Sequence, residues 1–341
     1  MSGISVAVVG ATGAVGELLC QLLHERQFPV GRLRLLASAR SAGRTVAYGD
    51  SQLPVEPLHP EAFAGVHLVL ASTPASVSRE WSPIAARAGA IVVDNSSAWR
   101  MDPEVPLVVP EVNPQALTRI PKGIVANPNC STIQMVVALQ PLHAHARIKR
   151  VVVATYQASS GKGAKALDEL DRQAAALGRG EPVAAAAVHA DVLAGNVLTH
   201  DWKLGPDGFS EEEWKMIRET RKIMGDESIQ VAPTTVRVPV RYGHAESVAV
   251  EFHEPLDAET ARQALRQAPG VVLLDDYETG QVPTPRSSAG RDEVFVGRIR
   301  RDPTVPHGLL LWVVADNLRK GAATNALQIA EELRRQGRLP G

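Results

Sequence analysis

A short apolar run, Ile4-Ser5-Val6-Ala7-Val8-Val9, leads directly into Gly10-Ala11-Thr12-Gly13-Ala14-Val15-Gly16 and then into Glu17-Leu18-Leu19-Cys20-Gln21-Leu22-Leu23. The run has the composition of a buried strand, and the stretch after the glycines has helical apolar spacing. Strand, glycine loop and helix in that order are the opening of a parallel α/β sheet that holds a dinucleotide. Glycines permit the tight turn and let backbone approach a pyrophosphate, whose charge then faces the helix N-terminus. The spacing Gly-x-x-Gly-x-x-Gly is a variant of the commonest fingerprint, so the strand–loop–helix context carries the assignment against a loop of small residues kept only for packing. Gly10, Thr12, Gly13, Ala14 and Val15 are therefore the expected phosphate cradle.

The second strand, Leu33–Leu36, ends in Ala37-Ser38-Ala39-Arg40-Ser41. An NAD site usually offers an acidic side chain here, about 20 residues beyond the glycines, for the ribose 2′-hydroxyl. Ser38, Arg40 and Ser41 stand in its place, and a cation with hydroxyls suits a 2′-phosphate, which favours NADP. Further strands are expected at Val66–Ala71 and Ala90–Asp94. Ser72-Thr73-Pro74 and Asn95-Ser96-Ser97 follow them, at the strand ends where such sheets bind ligands.

A second feature is chemical. In Ala126-Asn127-Pro128-Asn129-Cys130-Ser131-Thr132-Ile133, Pro128 biases Asn127 to extended backbone and Asn129 is a candidate N-cap, which places Cys130 in the first turn of a helix. Unpaired N–H groups and the helix dipole favour a thiolate there, and such sites lower a thiol pKa from about 8.5 into a range of roughly 3.5–7.5. Cys20, inside an apolar helical pattern, reads as a small buried hydrophobe.

With 341 residues, the chain has length for two domains. A net charge of -1 gives no general attraction to nucleic acid or anionic membrane. No apolar run reaches membrane-spanning length, no basic leader precedes the first strand, and two cysteines without a disulfide framework suit a cytoplasmic protein. The histidines and cysteines are scattered, so no metal site is expected. Beyond the Cys130 helix the pattern changes. Val151–Gln157 opens a new sheet, and Ser159-Ser160-Gly161-Lys162-Gly163 leads into an alanine-rich helix. Strands are expected at Thr234–Val240, Ser247–His253, Val271–Leu274, Val294–Arg300 and Leu309–Ala315, mostly alternating, as in a mixed or antiparallel sheet. The alanine run near Val183 to Val188 reads as helix or loop, and the closing stretch from Asn317 to Arg335 as helix. His244, on a turn after the Arg237 strand, is the candidate base for the thiol.

Taken together, Gly10 to Gly16, Asn127 to Thr132, Thr155-Tyr156-Gln157 and Arg237-Val238-Pro239 with His244 resemble aspartate-semialdehyde dehydrogenase over nearly the whole chain. The resemblance implies a Rossmann-like NADP-binding domain, residues 1–129 completed by a C-terminal helix, 318–341. It also implies an α+β catalytic and dimerisation domain, 130–317, with a mixed sheet, on the two-domain plan of glyceraldehyde-3-phosphate dehydrogenase. It implies NADPH-dependent reduction of L-aspartyl-4-phosphate through a Cys130 thioester, in the biosynthesis of lysine, diaminopimelate, threonine and methionine. The chemistry is coherent, because a thiolate readily attacks an acyl phosphate and the thioester accepts hydride better than a carboxylate would.

By the same resemblance Gln157 orients the acyl group, Arg237 grips the α-carboxylate, and Glu212 receives the α-ammonium. Lys215 and Arg100 clamp the phosphate, while Ser160, Gly161 and Asn317 contact the cofactor. A homodimer is implied, with a tetramer as the larger alternative. Two features depart from the family's pattern: Lys162, where small residues are commoner, and the stretch from Ala185 to His200. The rival readings are an N-acetyl-γ-glutamyl-phosphate reductase, whose acylated amine needs no acidic partner such as Glu212; an acyl-CoA reductase; and a dinucleotide-binding paralogue without turnover.

Overall fold

The computed structural model describes residues 3–340, and the chain divides into two compact units. The first runs to Asn129 and is rejoined by the chain from Ala322 onward; the second is Cys130–Gly321.

In the first unit β1 (Ile4–Val9), α1 (Ala14–Glu25), β2 (Val30–Ala37), β3 (Thr45–Tyr48), β4 (Ser51–Pro57), β5 (Leu68–Ala71), α2 (Ala75–Arg87), β6 (Ile91–Asp94) and β7 (Ile124–Ala126) follow one another. The seven strands form one sheet in the order β3-β4-β2-β1-β5-β6-β7. Every pairing is parallel except β3 with β4. Strand order reverses at β1, so the loops after β1 and β5 meet at the edge where such sheets bind nucleotides. β1 is buried on both faces, as its unbroken apolar run requires. Leu19, Leu22 and Leu23 of α1 pack in the same core as Leu327, Ile329 and Leu333 of the C-terminal helix, Thr324–Arg335. Each such side chain stabilises the unit by about 1.5–3 kcal/mol relative to exposure. No helix among the described residues is long and apolar enough to cross a membrane.

The second unit contains α3 (Cys130–His145), β8 (Ile148–Gln157), α4 (Ala164–Gly178), α5 (Glu211–Met224), β9 (Gln230–Arg237), β10 (His244–Phe252), α6 (Ala258–Gln267), β11 (Val271–Leu273), α7 (Pro285–Ser288), β12 (Val294–Arg301) and β13 (Gly308–Ala315). Its sheet runs β11-β12-β13-β10-β8-β9 and is mixed: β8 with β9 and β11 with β12 are parallel, the rest antiparallel. α3 is apolar nearly all round and buried along most of its length, as a helix inside a core must be.

Two strand assignments need correction. β9 begins at Gln230 and passes through Pro233, where the sequence suggested a start at Thr234; β9 is an edge strand, and edges tolerate the missing N–H. β10 begins at His244 and not at Ser247, so His244 is a strand residue and the turn ends at Gly243, whose φ is +88°. The alanine run is irregular coil.

One buried row is unexpectedly polar. Glu246 pairs with Thr155, and Thr155 with Thr235, all three fully buried on one face of the sheet. Neither Glu246 carboxyl oxygen has a hydrogen-bond partner. Burial pushes its pKa well above the usual carboxylate range, against a smaller opposing pull from the Gln134 amide of α3, so folding favours the protonated form. Its stability contribution is therefore complete below its ordinary value of 4.5 and is lost as pH rises toward the folded value. Glu246→Gln should remove that loss, at about 1.4 kcal/mol for each pH unit spanned. Thermal melts from pH 5 upward should show a flatter decline for the variant, and parallel curves would contradict a raised Glu246 pKa.

Candidate active site

Sheet register assembles the polar cluster of the second unit. Gln157 pairs with Arg237 across β8 and β9, and Ala245 pairs with Tyr156 across β10 and β8. His244, one residue before Ala245, therefore falls in the same row as Gln157. Alternation sends Gln157, Arg237 and His244 to the covered face, where they are 1%, 2% and 0% exposed, and sends Tyr156 to the other.

Each of these side chains is held by a specific partner. Gln157 donates from Nε2 to Glu212 Oε1 at 3.1 Å, and Lys215 Nζ donates to Glu212 Oε2 at 3.0 Å. Glu212 faces Gln157 because the start of α5 is tied down. Ser210 and Glu213 form a reciprocal cap, and Glu213 also accepts from the Thr235 N–H of β9 at 2.9 Å. Arg237 donates from Nε to Asp201 Oδ2 at 2.8 Å and from Nη1 to the Ala158 carbonyl at 2.6 Å. His244 Nδ1 accepts the Ala158 N–H at 2.9 Å, and Nε2 has no partner.

Between Arg237 and His244 lies Gly161. A Cβ there would stand 3.1 Å from Arg237 Nη1 and 3.4 Å from His244 Nε2. Its backbone needs no positive φ; what glycine permits is close approach of the main chain to a cation and an imidazole.

Cys130 is the first residue of α3 and partly exposed, whereas most of the helix behind it is buried. Gly321 lies against it, since a Cβ at that position would be 2.8 Å from Cys130 Cβ and 3.6 Å from Asn317 Cβ. Asn317 Oδ1 accepts from Ser160 Oγ and from the Gly243 N–H, both at 3.0 Å. Cys130, Gly321, Asn317, Ser160 and the start of β10 thus form one connected set. Cys20 is the opposite case. It is fully buried, and burial, with Glu17 adding to it, pushes its thiol up to about 12.

In the first unit, Gly10 has φ +83°, and a Cβ there would meet the Ser72 carbonyl at 2.2 Å; one on Gly16 would meet the Gly10 carbonyl at the same distance. Gly13 differs. A Cβ on it would meet only the Gly10 carbonyl, at 3.4 Å, so packing does not demand glycine. Gly13 precedes α1, which has no side-chain cap, and Ala14 and Val15 open the helix with backbone N–H groups suited to a pyrophosphate. Thr12 Oγ1 donates to Ser41 Oγ at 3.4 Å, joining this loop to the Ser38–Ser41 turn, on which Arg40 is exposed. Arg100 is 8% exposed and donates to the carbonyls of Asn127 and Asn95, at the ends of β7 and β6. Its anchor at Asn127 lies three residues before Cys130 in the chain.

Residues 139–320 match the family described as semialdehyde dehydrogenase, dimerisation domain, and residues 5–120 the semialdehyde dehydrogenase, NAD binding domain. An aspartate-semialdehyde dehydrogenase of Aquifex aeolicus is 52% identical over 98% of this chain and 99% of its own. The crystal structure of aspartate semialdehyde dehydrogenase II complexed with ASA from Vibrio cholerae superposes with a TM-score of 0.95 at 46% identity, covering 98% of this chain and 99% of that one. The Candida albicans aspartate semialdehyde dehydrogenase with NADP gives 0.76 at 26% identity, over 97% and 98%. The chain belongs to the aspartate-semialdehyde dehydrogenase family.

Parts of the site have no counterpart in the sequence motifs. Asp201, Gly321 and Gly243 carry no local signal, because their partners lie far away in the chain. His244 also differs from the base that its ordinary pKa suggested. Burial, with Arg237 adding to it and Glu212 opposing, lowers its pKa from 6.5 to about 3. With Nδ1 accepting from Ala158, the single proton of the neutral ring resides on Nε2, so the ring donates there. The depressed value contributes stability that is present above pH 6.5 and lost as pH falls toward 3. Long-range ¹H–¹⁵N spectra, with His244→Gln to assign the resonance, should show a neutral Nε2–H ring down to about pH 4. A titration near 6.5, or an Nδ1–H tautomer, would contradict this geometry.

Proposed function

We propose that the protein reduces L-aspartyl-4-phosphate to aspartate semialdehyde and phosphate, with Cys130 as nucleophile. The observation that carries this reading is a partly exposed cysteine at the first position of a buried helix, in the same unit as a row of Gln157, Arg237 and His244. The α3 N-terminus favours the thiolate, which attacks the acyl carbon. The carbon–sulfur bond forms, the bond to phosphate oxygen breaks, and phosphate leaves, taking a proton from solvent. Gly10 to Val15 would hold NADPH, with Ser38, Arg40 and Ser41 toward its 2′-phosphate, and the cofactor would supply the hydride. Collapse of the resulting thiohemiacetal oxyanion releases the aldehyde and returns the thiolate.

In this scheme no side chain needs to act as a resting-state base. His244 donates from Nε2 to the acyl oxygen as charge develops on it, a contribution that acts chiefly in the transition state. Gln157 orients the same group. Arg237 receives the α-carboxylate, Glu212 receives the α-ammonium, and Lys215 and Arg100 hold the phosphate. Ser160 and Asn317 support the cofactor side. An N-acetylated substrate would leave the Glu212 carboxylate without a cationic partner from the ligand, which disfavours the glutamyl-phosphate rival.

The open face of the second unit's sheet supports a homodimer. Val152 and Tyr156 are 38% and 37% exposed, and the Tyr156 ring lies 5.5 Å from that of Trp312. An apolar patch of this kind is the surface that a second copy covers. A reactive thiol and a biosynthetic role suit the cytoplasm.

Cys130→Ser tests the reading. Turnover of aspartate semialdehyde with phosphate and NADP should fall below detection, while NADPH binding by fluorescence stays within about threefold, because the cofactor loop is untouched. Retained turnover in the serine variant would refute the thioester route.

A further inference from the structure

Arg237 is buried, and its orientation is fixed on three sides. Nε donates to Asp201, Nη1 donates to Ala158, and the Trp202 ring lies 4.5 Å from the guanidinium carbon. A guanidinium has five N–H donors. The two bonds leave three N–H donors, two of them on Nη2, to receive a carboxylate, and Gly161 lets the main chain pass close to the same guanidinium.

Asp201 sets that arrangement. Its side chain is fully buried, and both oxygens are shared. Oδ1 accepts from Lys162 Nζ at 2.7 Å and from the Ala190 N–H at 2.9 Å; Oδ2 faces His189 Nδ1 at 3.2 Å and accepts from Arg237 Nε at 2.8 Å. The carboxylate thus reaches its full complement of partners, the condition under which a buried charge is tolerated. Hydrogen bonds from His189, Lys162, Arg237 and Ala190 outweigh the effect of burial, holding the acid well below the usual carboxylate range.

The segment that delivers it is clamped in turn. Glu169 of α4 accepts three successive backbone N–H groups, of Ala187, Val188 and His189, and Lys162 also donates to the Val188 carbonyl at 3.1 Å. The two departures from the family's pattern, Lys162 and the stretch from Ala185 to His200, therefore meet at one carboxylate. Ser159, His189 and Asp201 are in line, with Ser159 Oγ 2.9 Å from His189 Nε2. Ser159 is fully buried and Asp201 is already committed to two cations, so this chain is a strut and not a hydrolytic triad.

We infer that Asp201, braced by Lys162 and His189, is the positioning residue that aims Arg237 at the substrate's α-carboxylate and so sets selectivity for an amino-acid aldehyde. The inference rests on the reading of Arg237 given above. Asp201→Asn keeps the shape but must turn an amide N–H toward one of the two cations. Its KM for aspartate semialdehyde should rise roughly 10-fold, the scale of one well-aimed charge-assisted hydrogen bond, with kcat changing less than about threefold. For 3-aminopropanal, which lacks the α-carboxylate, the variant and the wild type should match. Lys162→Met, which leaves Arg237 and Asp201 in place, should shift KM in the same direction by a smaller factor, and it serves if the asparagine variant does not fold. Equal losses on both aldehydes, or an unchanged KM for aspartate semialdehyde, would overturn the positioning role. If wild type itself fails to prefer the carboxylate-bearing aldehyde, the assignment of Arg237 to the carboxylate fails instead and takes this inference with it.

Discussion

Strand register in the second sheet is the constraint from which the candidate site follows. Side chains alternate between faces with a period of two, so a slip of one residue between β8, β9 and β10 would carry Gln157, Arg237 and His244 to the wrong face. The pairing of Gln157 with Arg237, and of Ala245 with Tyr156, excludes that slip. The same alternation leaves Val152 and Tyr156 on the open face. One register therefore sets a polar row inside and an apolar patch outside.

Within that frame, the proposed route economises on proton transfer. A thiol at a helix N-terminus is stabilised as the anion by backbone N–H groups. An imidazole buried beside a guanidinium stays neutral, and its tautomer is set by a main-chain N–H. In the proposed route the pair divides the work: the thiolate supplies the electrons, and the imidazole N–H steadies the oxygen that receives them. A histidine titrating near neutral pH would instead lose this donor–acceptor order whenever it changed charge.

Some of this was legible in the sequence because it depends on local chemistry. Gly10 and Gly16 are required by contacts within a few residues or at the adjoining strand end, and Cys130 follows Pro128 and Asn129 into a helix whose apolar run is plain. Glu212 and Lys215 share a helix face by spacing alone. What escaped was set by distance. Pro233 hid the start of β9 because its tolerance depends on an edge position that only the assembled sheet defines. β3 and β7 are short edges without enough residues to show a period. His244 was expected on a turn because the role of Gly243 as the last turn residue depends on contact with Pro285. Asp201 had no signal at all, since its side-chain partners Lys162, His189 and Arg237 lie 39, 12 and 36 positions away.

The central claim is the covalent intermediate, and trapping it tests the claim most directly. Enzyme mixed with L-aspartyl-4-phosphate in the absence of NADPH should release one phosphate per active site and stop. Digestion and mass spectrometry should then find an aspartyl group on the Cys130 peptide, removed by hydroxylamine and reduced to the aldehyde when NADPH is added. Phosphate release without a modified Cys130, or an adduct on another residue that NADPH converts at the same rate, would contradict the account.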